Sequence, residues 1–462
     1  MWEFFIRFSH SIFRTKQRSR RALSVRPELW PLEDRLVPAQ LLWVGAAGAP
    51  WAPAMGNNPN FINQGGVAQN PSNGDTLIFD PNARWGPNNT PGADTDSVDN
   101  TNPEIFLSAI HVNQAYTHNI TINSYLIVGK AGVGQVSSDP SNLSNGTLTL
   151  MKLNGTGAQP EFEIYGSAGS GSTFNWSGGN IANGNPANSG NWPHIKVDGR
   201  STFNISGGAA SLQADIWNSG LVNFSANQDL TLSNTSYGIT NSGTFNLMSD
   251  HGLLSLAGDP RAPFGFSNSS NGLLEKTGGT GTSTFGLNFG NSRASSDLEI
   301  YSGTINFTQQ AGQSAGLTTI YRGATLQTST TYTVNGGTIE GAIQGSGAAP
   351  RVLGNLTLAG GDFFVESGGM VPSVFVVTNN FSETGGTLHI YVNGWNGNDQ
   401  LQVGNQARLG GILKVTTISA PMTSPFTIMT YGSLAQGTDF ASFTWDSLVY
   451  TPDKQNNQYQ LS

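Results

Sequence analysis

SGTFNL, at residues 242–247, has close kin along the chain: NGTLTL at 145–150, SGTINF at 302–307 and GGTLHI at 385–390. Each phrase is a glycine, a threonine, and then two apolar residues flanking a polar one. Alternation of this kind is the pattern of a half-buried strand. It puts Phe245 and Leu247, or Ile305 and Phe307, on one side of the chain, with Asn246 and Asn306 on the other. The outward asparagines face solvent or stack on like residues above and below. Glycine suits the corner before each strand because a tight bend often needs positive φ, which costs glycine nothing sterically.

Such glycines stand at 146, 220, 243, 303, 323, 337, 354 and 386. Several gaps between them (23, 20, 14 and 17 residues) fall near one turn of a stacked coil, and STFNI at 201–205 is a further copy. In a coil of this kind each turn lies ~4.8 Å from the next and pairs its backbone with both neighbours. The expectation is an all-β chain forming a right-handed parallel β-helix, a single-stranded β-solenoid of the pectin-lyase-like type. An array of β-sandwich domains is the alternative. Composition agrees: 59 glycines and only 11% charged residues suit short strands and turns, and 10% aromatics supply a core.

Charge divides the chain unevenly. Residues 1–40 carry a net +4 and the remaining residues a net −12, so the body lacks the basic face a nucleic-acid partner needs. No cysteine is present, which excludes disulfides and thiol chemistry. No apolar run approaches the ~18 residues of a spanning helix. The basic amino terminus lacks the apolar core of a standard secretory signal, and SRRALSV at 19–25 is followed by segments too polar for a twin-arginine signal. The domain reading is a basic tail or sorting segment over 1–40, β-helix repeats over 41–380, and a carboxyl-terminal β-strand cap over 381–462.

Three stretches carry a resemblance. PLEDRLVPA at 31–39 resembles the amino-terminal LEDRLVPA element of large repetitive surface proteins of planctomycete bacteria. The opening LLWVGAAGAPW and GDTLIF, with Trp43, Gly45, Trp51 and Gly74–Phe79, looks like the start of bacterial extracellular β-repeat proteins. GLLEKTGGTGTSTFGLNF at 272–289 resembles an element of autotransporter-associated β-strand repeats. GGTLHIYVNGWNGNDQLQVGNQARLGGILKV at 385–415, through Leu388, Asp399, Leu401, Val403, Leu409, Gly410, Gly411, Leu413 and Val415, is similar to that family's terminal segment. FTIMTYGSLAQGTDFASF at 426–443 matches its closing strand pair. The resemblance implies secretion or surface display. SGGMVPSVFVV at 367–377 departs from the P-G-x-S-P-G turn of related chains, and with no barrel after YQLS at 459–462, transport by the chain's own translocator is not expected.

The search for chemistry finds little. Asp94, Asp96 and Asp99 in GADTDSVDN form the densest acidic run, but its spacing misses the calcium-loop pattern. A solvated loop is the reading there, with a weak Ca²⁺ site as the only cofactor considered. His111 and His118 lie seven residues apart, wider than strand zinc ligands. Trp176, Trp192 and Trp217 suggest a sugar-stacking face, yet alternation puts Trp176 beside Phe174 in the core. No catalytic, cofactor-binding or metal-ligating residue is assigned. The expected function is a non-enzymatic surface or extracellular structural or adhesion protein, with cell-surface components or glycans as partners. A carbohydrate-binding or polysaccharide-degrading β-helix is the alternative.

Overall fold

In a computed structural model, the described residues are 38–462 except 53–58, 100–103, 133–134, 152–160, 168, 185–192, 209–210, 234–237, 258–263, 369–370, 395–396, 420–424 and 447. The side chain of residue 161 is likewise not described. The tail and most of the LEDRLVPA element, and Trp192, lie outside them. Residues Pro38–Ser462 form one compact unit. Every regular element described is a strand, and no described helix is long and apolar enough to cross a membrane.

The chain winds as a parallel β-helix with three strand-bearing faces. One coil shows the plan: Leu221–Ala226 lies on the first face, Leu230–Leu232 on the second and Gly238–Asn241 on the third. Thr244–Leu247 then returns to the first face, paired in parallel and in register with Leu221–Ala226 below and Leu273–Lys276 above. Among the described residues the first face is crossed sixteen times, from Gln40–Trp43 to Ser442–Trp445. At ~4.8 Å per coil, that stack is about 70 Å long.

Alternation works as the phrases imply. Phe245, Leu247, Ile305 and Phe307 are buried, while Asn246 and Asn306 point outward between them. Asn246 lies in register with Asn223 below, but Asn306 sits between Thr284 and Gln327, so only the first has a like neighbour. Aromatic rings run up the interior, with Phe266 at 5.3 Å from Phe285, and Phe285 at 5.4 Å from Phe307. At the amino-terminal end Trp43, Trp51, Phe61 and Phe79 close the core, with Trp43 edge-on to Phe61 at 5.1 Å. Gly45 is required there because a Cβ would lie 2.5 Å from the Trp43 ring.

The spacing of the glycines has a different cause from a constant turn length. Residues stacked on adjacent coils are between 19 and 48 positions apart. The gaps of 14 and 17 are steps between faces: Gly323 precedes the second-face part of Thr325–Val334, whereas Gly337 opens Thr338–Ala342 on the first face. Two constraints select glycine. Gly303 has φ 61°, and a Cβ on Gly243 would lie 2.1 Å from the Gly220 carbonyl oxygen one coil below. Parallel stacking also continues past residue 381 on the first face, through Thr387–Asn393 and Ile412–Ser419 to Ser442–Trp445. Antiparallel pairing closes this end through Phe426–Leu434, Gln458–Leu461 and Pro452–Gln455, with a short hairpin between Thr387–Asn393 and Gly397–Asn398.

Two columns of amides bind coil to coil. Inside, where the third face turns into the first, Asn218, Asn241, Asn268 and Asn291 stack, all buried. Each of the first three donates to the next asparagine's Oδ1, at 2.7, 2.7 and 3.2 Å. Each also donates to a backbone carbonyl on the adjoining first-face strand: Thr244, Leu273 and Asp297. Gln313 extends the column with bonds to the Gly316, Gly336 and Thr338 carbonyls. Both amide protons are thus used in a dry site, where a lost partner is costly. A second, partly exposed column on the first face joins Asn223, Asn204, Asn175 and Asn142 at 2.8–2.9 Å.

These columns should differ in mutational cost. Asn268→Leu strands one Asn241 amide proton and the Asn291 Oδ1 in the interior, and should cost about 3 kcal/mol or more. Asn204→Ala, whose neighbours can turn to water, should cost about 1 kcal/mol. Denaturant unfolding of the two variants checks the ranking.

Candidate functional site

The three aspartates singled out in the sequence serve the backbone. Asp94 accepts from the Thr117 amide at 2.8 Å and its hydroxyl at 3.0 Å, and pairs with His118 at 3.0 Å. Burial works against ionisation of Asp94, but those bonds outweigh it and hold its carboxyl below the usual range. Asp96 accepts from the Asn119 amide at 2.9 Å. Asp99 is not solvated: it is fully buried and accepts from the Ser124 amide and hydroxyl on the next coil. The loop therefore fastens one coil to the next.

The two histidines take separate partners. His118 pairs with Asp94, whereas His111 lies at the foot of the outer asparagine column. Its Nδ1 accepts from the Asn142 amide at 3.0 Å, so its Nε2 carries the proton given to Asp139 at 3.1 Å. Among the tryptophans, Trp176 is buried against Phe203, as alternation implies, and Trp217 is 39% exposed. The rings of Trp217 and His194 stack at 3.8 Å.

Farther along the same outward position of the first face, the residues change character. Asn246 is followed by Glu275, Glu299, Thr319, Glu340, Phe364 and His389, each in register with the last. Glu299 accepts from the Tyr301 hydroxyl, and Glu340 from Thr319 at 3.1 Å. Tyr301 stacks on Tyr321 at 4.2 Å, and Phe364 on His389 at 3.9 Å. Burial first, and the Glu299 charge second, raise the pKa of Glu275 and of Asp297. Burial also raises Glu340, against its bonds to Thr319 and Ser367. Like charges directly opposite one another on a sheet are mutually destabilising. The stripe is thus an outward line of carboxylates and aromatic rings. The sequence contains its members but not their alignment, which depends on coil lengths.

GLLEKTGGTGT has a physical reason. Lys276 occupies an inward position and is fully buried. Its ammonium donates to the Ser249 and Gly278 carbonyls at 2.9 and 2.8 Å, to the Ser283 hydroxyl at 3.0 Å and to Asp250 at 3.3 Å. The glycine-rich turn wraps that charge, since a Cβ on Gly279 would lie 2.0 Å from the Asp250 carboxylate. Burial lowers the lysine pKa, with Asp250 opposing. A buried cation held this way fixes local conformation.

Glu383 continues the inner column, above Leu358. It is buried, and among the described residues neither carboxyl oxygen reaches hydrogen-bonding geometry with a partner. Burial pushes its pKa up to about 9, despite the nearby Ile412 and Leu388 backbone, so at neutral pH it is an uncharged acid.

A scan of protein-family models finds no match to this chain, and a search of curated proteins finds no relative.

Glu383 gives a pH prediction. Its folded pKa lies above the unfolded value of about 4.3. The fold therefore binds the proton more tightly, and this contribution is full below the unfolded value and lost as pH rises toward 9. Glu383→Gln should flatten the fall in stability between pH 5 and 9, as read by thermal unfolding against the parent chain. Parallel curves for the two proteins would refute the assignment.

Proposed function

We propose that this chain is a non-enzymatic structural or adhesion protein displayed outside the cytoplasm, and that its product is a rod of fixed outward pattern. The observation that carries the reading is the vertical use of side chains. Asparagine amides, the Lys276 ammonium and the Asp99 carboxylate all bond from coil to coil. Such an arrangement keeps residues of like kind aligned along the axis, which suits repeated weak contacts with an extended partner. Display outside the cell, and kinship with planctomycete-type surface proteins and autotransporter-like repeats, rest on the resemblances at 31–39 and 272–289.

The alternative of polysaccharide cleavage draws on one observation. Glu275 lies directly opposite Glu299, and burial together with the Glu299 charge raises the Glu275 pKa. Two facing carboxyl groups are the raw material of acid and base catalysis. Against it, the clefts at Gly290–Gly312 and at His111–Asn142 are not lined by these carboxylates.

Surface labelling of intact cells, with fractionation and a polysaccharide-degradation screen, separates the readings. The structural reading expects surface or extracellular protein and no degradation. Protein confined to the cytosol would overturn it, and degradation abolished by Glu299→Gln would establish the alternative.

A further inference from the structure

On the third face the outward column runs Trp217, Thr240, Ser267, Gly290, Gly312 and Thr333, each paired in register with the next. The middle of this column falls away in size, from tryptophan to serine to two glycines. Over the glycines lies a cleft of about 560 Å³ whose rim includes Gln310, Ser314, Thr331 and Asn335. Among the described residues no Asp, Glu, Lys or Arg lines it. The hydroxyls of Thr331 and Thr333 and the side-chain amide of Asn335 make no hydrogen bond among the described residues. About 14 Å along the axis, three coil steps from Gly290, Trp217 stacks with His194 and leaves part of its ring exposed.

We propose that this trough binds a neutral polysaccharide chain laid along the helix axis, with Trp217 as a stacking platform and the Gly290–Gly312 cleft as a hydrogen-bonding subsite. The inference rests on the reading of a displayed scaffold only in naming what such a scaffold adheres to. Three observations select the ligand. Hydroxyl and amide groups both donate and accept, which matches sugar hydroxyls, and the uncharged lining of the cleft offers an ionic polymer no counter-charge, while Lys196, next to Trp217 in the column, is paired with Glu163 and Asp198. An exposed indole presents the flat apolar surface on which a sugar ring can lie. A peptide strand cannot add here, because Asn288–Asn291 is already paired on both sides, with Gly265–Asn268 and Ala311–Gln313.

Gly290 supplies the decisive variant. A Cβ there meets nothing within 4 Å, and its φ is not in the left-handed range, so Gly290→Phe fills the cleft without straining the backbone. Gly312 is unsuitable, since a Cβ would lie 2.4 Å from the Thr333 carbonyl oxygen. The test is affinity electrophoresis of the purified full chain in gels containing laminarin, dextran or galactomannan, with polygalacturonate and heparin as charged controls. The parent chain should be retarded by at least one neutral polymer and by neither charged one. Gly290→Phe and Trp217→Ala should each weaken that retention at least about ten-fold. Thr331→Val with Thr333→Val, which removes hydroxyls without adding bulk, should weaken it too, and carries the test if Gly290→Phe fails to fold. No retention by any neutral polymer, or retention unchanged in the folded variants, overturns the proposal. Cell localisation is measured separately, so failure of binding leaves the display reading intact, and the reverse also holds.

Discussion

Stacking in register is the constraint on which this molecule depends. Each coil must present backbone groups to the coils on both sides, so a residue's neighbours along the axis are set by pairing. Local sequence preference has little say. Once Asn204 is above Asn175, the same amide bond repeats at each step, and the identity of one coil's residue conditions the next. The variable arcs between strands tolerate length differences of many residues because they lie outside this requirement. A coil of 19 residues therefore stacks beside one of 29 with the column unbroken.

Two kinds of interior follow. Most inward positions are apolar, and the phenylalanine rings from Phe245 to Phe307 supply a continuous hydrophobic spine. At the corner between faces, a first-face backbone carbonyl and the next coil's side-chain oxygen each accept a hydrogen bond from the interior. There the inward residue is asparagine, whose amide has donors for both the corner and the next coil. Lys276 answers a similar demand with a charge, and Glu383 occupies the asparagines' column as an acid kept neutral by burial. Function on such a body belongs to the outward positions, which are free to differ between faces. The first face turns from asparagines to carboxylates and aromatic rings, while the third carries an uncharged cleft at Gly290 and Gly312.

Alternation made Phe245, Leu247, Ile305 and Phe307 legible as core, and the same rule placed Trp176 inside. It works because strand periodicity is local. Coil length is not local, so the gaps of 14 and 17 residues read as turns when they are steps from face to face. The inner asparagine column had a signal, in WNSG at 217–220, TNSG at 240–243, SNSS at 267–270 and GNSR at 290–293. Polar residues that end a strand read as turn formers, however, and nothing in the spacing revealed that they point inward. Alignment of Glu275, Glu299 and Glu340, like the path from Trp217 to Gly290, exists only once the coils are stacked.

The chain has no cysteine of its own, which permits a direct measurement of register. Thr240 and Ser267 are partners on adjacent coils, whereas Thr240 and Gly290 are two coils apart. Adjacent positions lie ~4.8 Å from each other, within disulfide range, and positions two coils apart do not. Thr240→Cys with Ser267→Cys should cross-link on mild oxidation of the folded protein, as read by peptide mass spectrometry, while Thr240→Cys with Gly290→Cys should remain reduced. Cross-linking of the second pair in preference to the first would contradict the stacking register on which this account stands.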